Sequence, residues 1–218
     1  VTKDRQKAQP YLDRVYREIE IKRSLFGEGR RVEQLHWGGG TPTFISSGQM
    51  RELMTVTGRH LQLLDDDTGE YSIEIDPREV GEETIGLLRE IGFNRMSLGL
   101  QDLDPNVQRA VNRLQSAEQT FGVLASARRE GFRSISMDLI YGLPFQTPDS
   151  FLTTLDRVIE ASPDRLSVFN YAHLPERFKP QRRINAEDLP TPDQKLEILR
   201  RVGERLEHGN GRVPAHAC

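Results

Sequence analysis

The residues that could do chemistry fall in short segments, each placed just after an apolar run. Gly38-Gly39-Gly40-Thr41-Pro42 follows the run Val32 to Trp37. Three glycines without Cβ let a ligand approach the backbone and leave amides able to point outward, which suits an anionic or zwitterionic group. A tight strand-to-helix turn would use the same residues. The segment is neither a dinucleotide-binding GxGxxG nor a phosphate loop with its lysine. In Ser72-Ile73-Glu74-Ile75-Asp76-Pro77 charged and apolar residues alternate until Pro77 ends the ladder, so Glu74 faces either a pocket mouth or solvent.

Further along, Arg95 to Gln101 delivers an amide side chain that can donate and accept at once, as a ribose hydroxyl or a carboxylate requires; a helix-capping glutamine is the alternative. Arg113, after Asn112, could grip a ligand carboxylate with two parallel bonds or lie on the surface. Asp138 sits inside Met137 to Pro144, a strand expected to be buried on both faces, where a carboxylate needs a partner or a function. The segment Phe169-Asn170-Tyr171-Ala172-His173 closes with a histidine that could exchange protons or serve as a hydrogen-bonded structural group.

The elements that must position these residues are legible from periodicity. Leu12, Val15 and Ile19 mark an amphipathic helix over 9–24, and helical spacing returns over 48–64, 82–91, 105–111 and 117–130. Two more helices open at Thr147-Pro148 and Thr191-Pro192, where a hydroxyl can cap free amides and proline takes the first helical position. Strands are predicted over 32–37, 71–75, 96–98, 135–140 and 166–170. A helix fills each gap between them, so the connections are parallel crossovers. A (β/α) barrel and an open doubly wound sheet both put binding groups at the carboxyl ends of such strands, where these segments lie. Every crossover strand ends in Gly, Glu, Gln, Asp or Asn, as one convergent pocket requires.

Composition narrows the classes. Thirty Lys and Arg against 33 Asp and Glu give a net charge of −3 with the two signs interleaved, which argues against a nucleic-acid binder. No run approaches the roughly 18 apolar residues of a membrane span, and residues 1–20 carry charge where a signal peptide would be apolar, so no membrane insertion and a cytoplasmic location are expected. The one cysteine, Cys218, permits no internal disulfide and no multi-cysteine metal site.

The strings His36 to Thr43, Ile73 to Glu79, Gly92 to Arg95, Val111 to Arg113, Asp138 to Pro144 and Asp164 to Pro175 resemble the oxygen-independent coproporphyrinogen III oxidase family of radical S-adenosylmethionine enzymes over about residues 9–206. The resemblance implies an α/β fold, a partial (β/α) barrel of the radical S-adenosylmethionine type with parallel strands alternating with helices, truncated here at both ends. It implies S-adenosylmethionine lying across the strand ends, with a second molecule nearby. Gly39, Gly40 and Thr41 then resemble the contacts to its methionine end. Glu74, Gln101, Arg113, Asp138 and Ala172 resemble the remaining cofactor-binding positions. The implied reaction converts coproporphyrinogen III to protoporphyrinogen IX in haem biosynthesis: a reduced 4Fe-4S cluster, fed by an unidentified electron donor, generates a radical from S-adenosylmethionine, which takes a hydrogen from each reacting propionate; carbon dioxide leaves and a vinyl group remains.

The chain departs from that pattern at both ends. The family's cluster loop, CxxxCxxC, has no counterpart here, so Val1 reads as a truncation point and the chain alone is expected to hold no cluster and perform no radical chemistry. Residues 207–218 show no strand pattern and read as an aberrant or disordered tail, simpler than a metal site built from His208, His216 and Cys218. Two rivals share the barrel: a radical S-adenosylmethionine haem chaperone, against which Phe169 to His173 argues, and a cluster-free scaffold domain.

Overall fold

The computed structural model describes residues 4–26, 29–208 and 215–217. Its chain divides into two compact units, Val1–Ser97 with Ala125–Arg133, and Leu98–Leu124 with Ser134–Cys218.

In the first unit, α1 (Ala8–Arg23) buries Ala8 and Leu12 and packs on α2 (Ser47–His60). A capping box starts α2: Ser46 Oγ accepts from the Gln49 N–H, and the Gln49 side chain accepts from the Ser46 N–H. Its inner face repeats at Met50, Met54 and Thr57, the spacing of one helical stripe. The strand predicted over 32–37 is in fact two. β1 (Arg31–Val32) pairs with β3 (Gln62–Leu63), and β2 (Gln34–Trp37) pairs in parallel with β4 (Glu70–Ile75). The break falls at Glu33, whose carbonyl accepts from the Glu70 N–H at 2.7 Å.

β4 alternates: Tyr71, Ile73 and Ile75 are buried while Glu70, Ser72 and Glu74 lie on the more open face. After α3 (Glu82–Glu90), β5 (Arg95–Gln101) follows β4 in the strand order. A buried asparagine just before β5 ties its start to the start of β4. Asn94 Oδ1 accepts from the Tyr71 N–H at 3.0 Å, and its Nδ2 donates to the Gly69 carbonyl and to Asp67. Asp67 in turn pairs with Arg89 at 3.0 Å. One side chain thus satisfies backbone groups that burial would otherwise leave without partners.

In the second unit the strand order continues from β5 to β6 (Ser134–Tyr141), β7 (Arg165–Asn170) and β8 (Ala215–Ala217). β6 and β7 are parallel, with Asp138 opposite Ser167. Helices α4 (Pro105–Ala110) and α5 (Ala117–Arg129) come between β5 and β6, and α5 passes into the first unit. α6 (Pro148–Ala161) opens with the capping box expected of Thr147-Pro148, the Thr147 hydroxyl accepting from the Ser150 N–H. Its buried stripe is Phe151, Thr154, Leu155 and Val158, and it packs on α7 (Pro192–His208). Thr191 caps α7 by accepting from the Gln194 N–H.

The sequence pattern of 207–218 gave no sign of β8, which lies parallel to β7 with Leu166 opposite Ala215. Residues 209–214 and Cys218 of the expected tail lie outside the described residues. Every pairing given is parallel and each long crossover carries a helix, the architecture expected from the alternation. Among the described residues, no helix is long and apolar enough to cross a membrane.

Candidate functional site

At the carboxyl end of β2 the three glycines begin the loop that leads to Pro42–Phe44. Gly39 and Gly40 have φ of +78° and +66°, values that side chains strain to adopt. Gly38 is constrained by space instead. A Cβ there would press on the His36 imidazole and come within 2.8 Å of Glu74 Oε1. Thr41 is extended and leads into the short turn Pro42–Phe44.

The carboxylate of Glu74, one residue before the end of β4, reaches this turn. Its Oε2 accepts from the Gly39 N–H at 3.0 Å, and its Oε1 lies 3.5 Å from His36 Nε2. The other His36 nitrogen, Nδ1, is 2.8 Å from Ser72 Oγ. This corrects one expectation. The Gly39 amide does not point outward toward an anion but is taken by Glu74. The rim therefore gathers carboxylate oxygens over a glycine floor, and its chemistry suits a small cationic group. Asp76, close by in sequence, is occupied by Arg78 at 2.6 Å. His36 was not among the site residues expected; the signal was its place two residues before Gly38, and the pairing of β2 with β4 sets it in register with Ser72.

In the second unit, Gln101 is the last residue of β5 and has φ +70°, a left-handed conformation rare for a residue with a side chain. Arg113 is half-buried and donates to the Gly99 carbonyl at 2.8 Å, so it is anchored two residues from Gln101 and is not a free surface arginine. Asp138 requires a correction. β6 is not buried on both faces: Ile135, Met137, Leu139 and Tyr141 are buried, whereas Ser134, Ser136, Asp138 and Ile140 form a half-buried face. Asp138 lies within the strand, three residues before its last, while Gln101 is at the tip.

Ala172 is exposed just beyond β7. Its carbonyl accepts from Gln181 Nε2 at 3.0 Å, and the same side chain accepts from the Leu174 N–H, so one glutamine holds both sides of the segment. His173 Nδ1 lies 3.2 Å from the Tyr171 hydroxyl, the structural alternative of the sequence reading. Burial raises the Tyr171 pKa above the usual phenol value.

Sequence reasoning passed over the most buried carboxylate of this region. Asp102 is 1% exposed, directly after Gln101, and burial raises its pKa although three hydrogen-bond donors oppose the shift. For the expected cluster, the chain offers no set of thiolates: its one cysteine is Cys218, and among the described residues no group of three or more His, Cys, Asp or Glu side chains could hold a metal ion. For the sulfonium cofactor the fit is better. The Gly38 floor is a space a Cβ would fill, and Glu74 supplies the acceptor a cationic amine needs.

Oxygen-independent coproporphyrinogen III oxidase of Pseudomonas aeruginosa is 63% identical over 206 residues, covering 94% of this chain and 45% of the relative. The enzyme of the same name from Escherichia coli K12 is 53% identical, covering 91% and 43%. The chain thus spans about half the length of the curated relatives it matches. The solved coproporphyrinogen III oxidase of Escherichia coli, described as a radical SAM enzyme, superposes with a TM-score of 0.91 at 50% identity over 96% of this chain and 48% of that one. Methylornithine synthase, 19% identical with a TM-score of 0.61, shares the fold. The model of the Radical SAM superfamily matches residues 5–158, well over half of the sequence, and the chain belongs to that superfamily, whose cofactors are S-adenosylmethionine and a 4Fe-4S cluster.

Proposed function

We propose that this chain is the S-adenosylmethionine-binding part of an oxygen-independent coproporphyrinogen III oxidase, acting on coproporphyrinogen III in porphyrin biosynthesis. The observation that carries the reading is the closure of the glycine turn by Glu74, which sets a carboxylate beside backbone that a ligand can approach closely. Identity of 63% and 53% with relatives of that name supports it.

In this reading Gly39, Gly40 and Thr41 form the floor under the methionine end and Glu74 accepts from its ammonium group. His36, held by Ser72, keeps Glu74 oriented. Within the second unit, Gln101, Arg113, Asp138 and the Ala172 backbone are the polar groups that the family resemblance offers to S-adenosylmethionine. The bound cofactors would supply hydrogen-atom abstraction from a propionate side chain, after which carbon dioxide leaves, one electron passes to an acceptor and a vinyl group remains. The chain's own work is to bind, orient and exclude water. The one cysteine of this sequence, Cys218, cannot supply a set of cluster thiolates.

The test is a chimera in which residues 5–206 replace the matching segment of the Escherichia coli enzyme, reconstituted anaerobically with iron and sulfide. The reading expects protoporphyrinogen IX from the chimera and none from the 218-residue chain alone. A folded, cluster-loaded chimera without turnover overturns it.

A further inference from the structure

We infer that Asp102 is a positioning residue: buried behind the tip of β5, it holds Gln101 in its left-handed conformation and so presets the direction of that side chain. Gln101 is the centre of a three-residue turn closed by the Asp102 N–H donating to the Leu100 carbonyl at 3.0 Å, with φ +70°. A γ-turn with positive φ at its centre is rare and strained, and such strain persists only where the surroundings over-determine it.

The surroundings here do so. Asp102 Oδ1 accepts from the Asp104 N–H at 2.7 Å and the Thr154 hydroxyl at 2.8 Å, and its Oδ2 accepts from Gln146 Nε2 at 2.5 Å. The Asp102 carbonyl accepts from Gln108 Nε2 at 2.9 Å. On the other side of Gln101, the Gly99 carbonyl accepts from Arg113 and from Gln115 Nε2. The two sides are joined, because Gln108 Nε2 also donates to the Gln115 carbonyl, and Gln108 Oε1 accepts from the Gln115 N–H.

Asp102, Gln108, Gln115, Gln146 and Thr154 are each no more than 7% exposed. A buried carboxylate at that depth is costly, and this one neither touches the open face nor caps a helix, a task already done by Asp104. Gln146 extends the control to the next strand: its Nε2 also donates to the Ile140 carbonyl, and its Oε1 accepts from the Leu143 N–H. Asp102 therefore ties the tip of β5 to the end of β6 as one rigid piece.

The role of Gln101 toward a cofactor rests on the function proposed above, but its backbone angle can be read without any cofactor. The experiment uses the full 218-residue chain labelled with ¹⁵N-glutamine and measures the three-bond coupling between the amide and α protons of Gln101, which reports φ. Asp102→Asn presents an amide to Gln146 where an acceptor is needed, and the coupling is expected to move toward that of extended backbone. Val158→Ala, a fully buried change on the helix that carries Thr154, is expected to lower the melting temperature and leave the coupling as it was. An unchanged coupling in Asp102→Asn, or an equal change in Val158→Ala, overturns the inference. Should Asp102→Asn fail to fold, Thr154→Val removes one donor to the Asp102 carboxylate, together with the acceptor of the Leu103 N–H, and the same coupling decides. Failure of the proposed enzymatic function would leave this result standing.

Discussion

The Gly39 N–H donates to Glu74 Oε2 at 3.0 Å, joining positions 35 residues apart at the ends of neighbouring parallel strands. That bond makes the glycine turn and the carboxylate one device. The turn fixes where the carboxylate points, and the carboxylate neutralises an amide that would otherwise attract an anion.

Gly38 is where this device is most sensitive. A Cβ there meets the His36 ring and lies 2.8 Å from Glu74 Oε1, so both side chains must swing away. In the reconstituted chimera, Gly38→Ala is expected to weaken S-adenosylmethionine binding about tenfold or more, while the melting temperature of the 218-residue chain shifts little. Titration calorimetry and a thermal melt read the two effects separately.

Acid should loosen the first unit through Asp67. The Asn94 amide first, then Arg89, hold its carboxyl below the usual carboxylate range. Since the folded pKa lies below the unfolded one, the stabilisation is present above the unfolded value and is lost as pH falls through the folded value. Urea titrations of wild type and Asp67→Asn should differ at neutral pH and converge in strong acid. At neutral pH, Asn94→Ala leaves the buried Tyr71 N–H and Gly69 carbonyl unpaired and should cost about 2–3 kcal/mol.

At the end of α6, Ser162 adopts φ +57° and ψ +55°, and its N–H donates to the Val158 and Ile159 carbonyls. A non-glycine residue in that region costs about 1–2 kcal/mol, only partly offset by the greater unfolded-state freedom of glycine. Ser162 is exposed, so little packing is lost. Ser162→Gly should therefore raise stability by about 0.5–1 kcal/mol, visible as a melting point higher by roughly 1–3 °C.

The parts of this fold that repeat locally were readable from the sequence. Capping hydroxyls at Thr147 and Thr191 and the alternation Tyr71, Ile73, Ile75 each depend on residues within a few positions, and the elements fell where those signals put them. What depends on distant partners was not readable. Nothing local distinguishes β1 from β2, because the break at Glu33 is set by which strand lies alongside. Asp138 was expected on a doubly buried strand, since an apolar run does not reveal that one face stays open. Asp102 escaped notice because Gln101-Asp102-Leu103-Asp104-Pro105 looks like ordinary capping sequence. Only Asp104 caps α4, accepting from the Asn106 and Val107 amides, and this leaves Asp102 for its buried partners Thr154 and Gln146.

Gln101 provides a separate check on the second unit. Gln101→Gly removes the side chain and relaxes the positive φ, so stability should hold or rise while S-adenosylmethionine affinity of the chimera falls. A fall in both would point to packing and not to ligand contact.

The most direct measurement is equilibrium binding of S-adenosylmethionine to the reconstituted chimera with and without Glu74→Gln. The substitution keeps size and shape and removes the negative charge. An affinity at least about tenfold weaker, a loss of about 1.4 kcal/mol, is expected with cluster content unchanged. Equal affinity for the two proteins would mean that Glu74 does not hold the ammonium group.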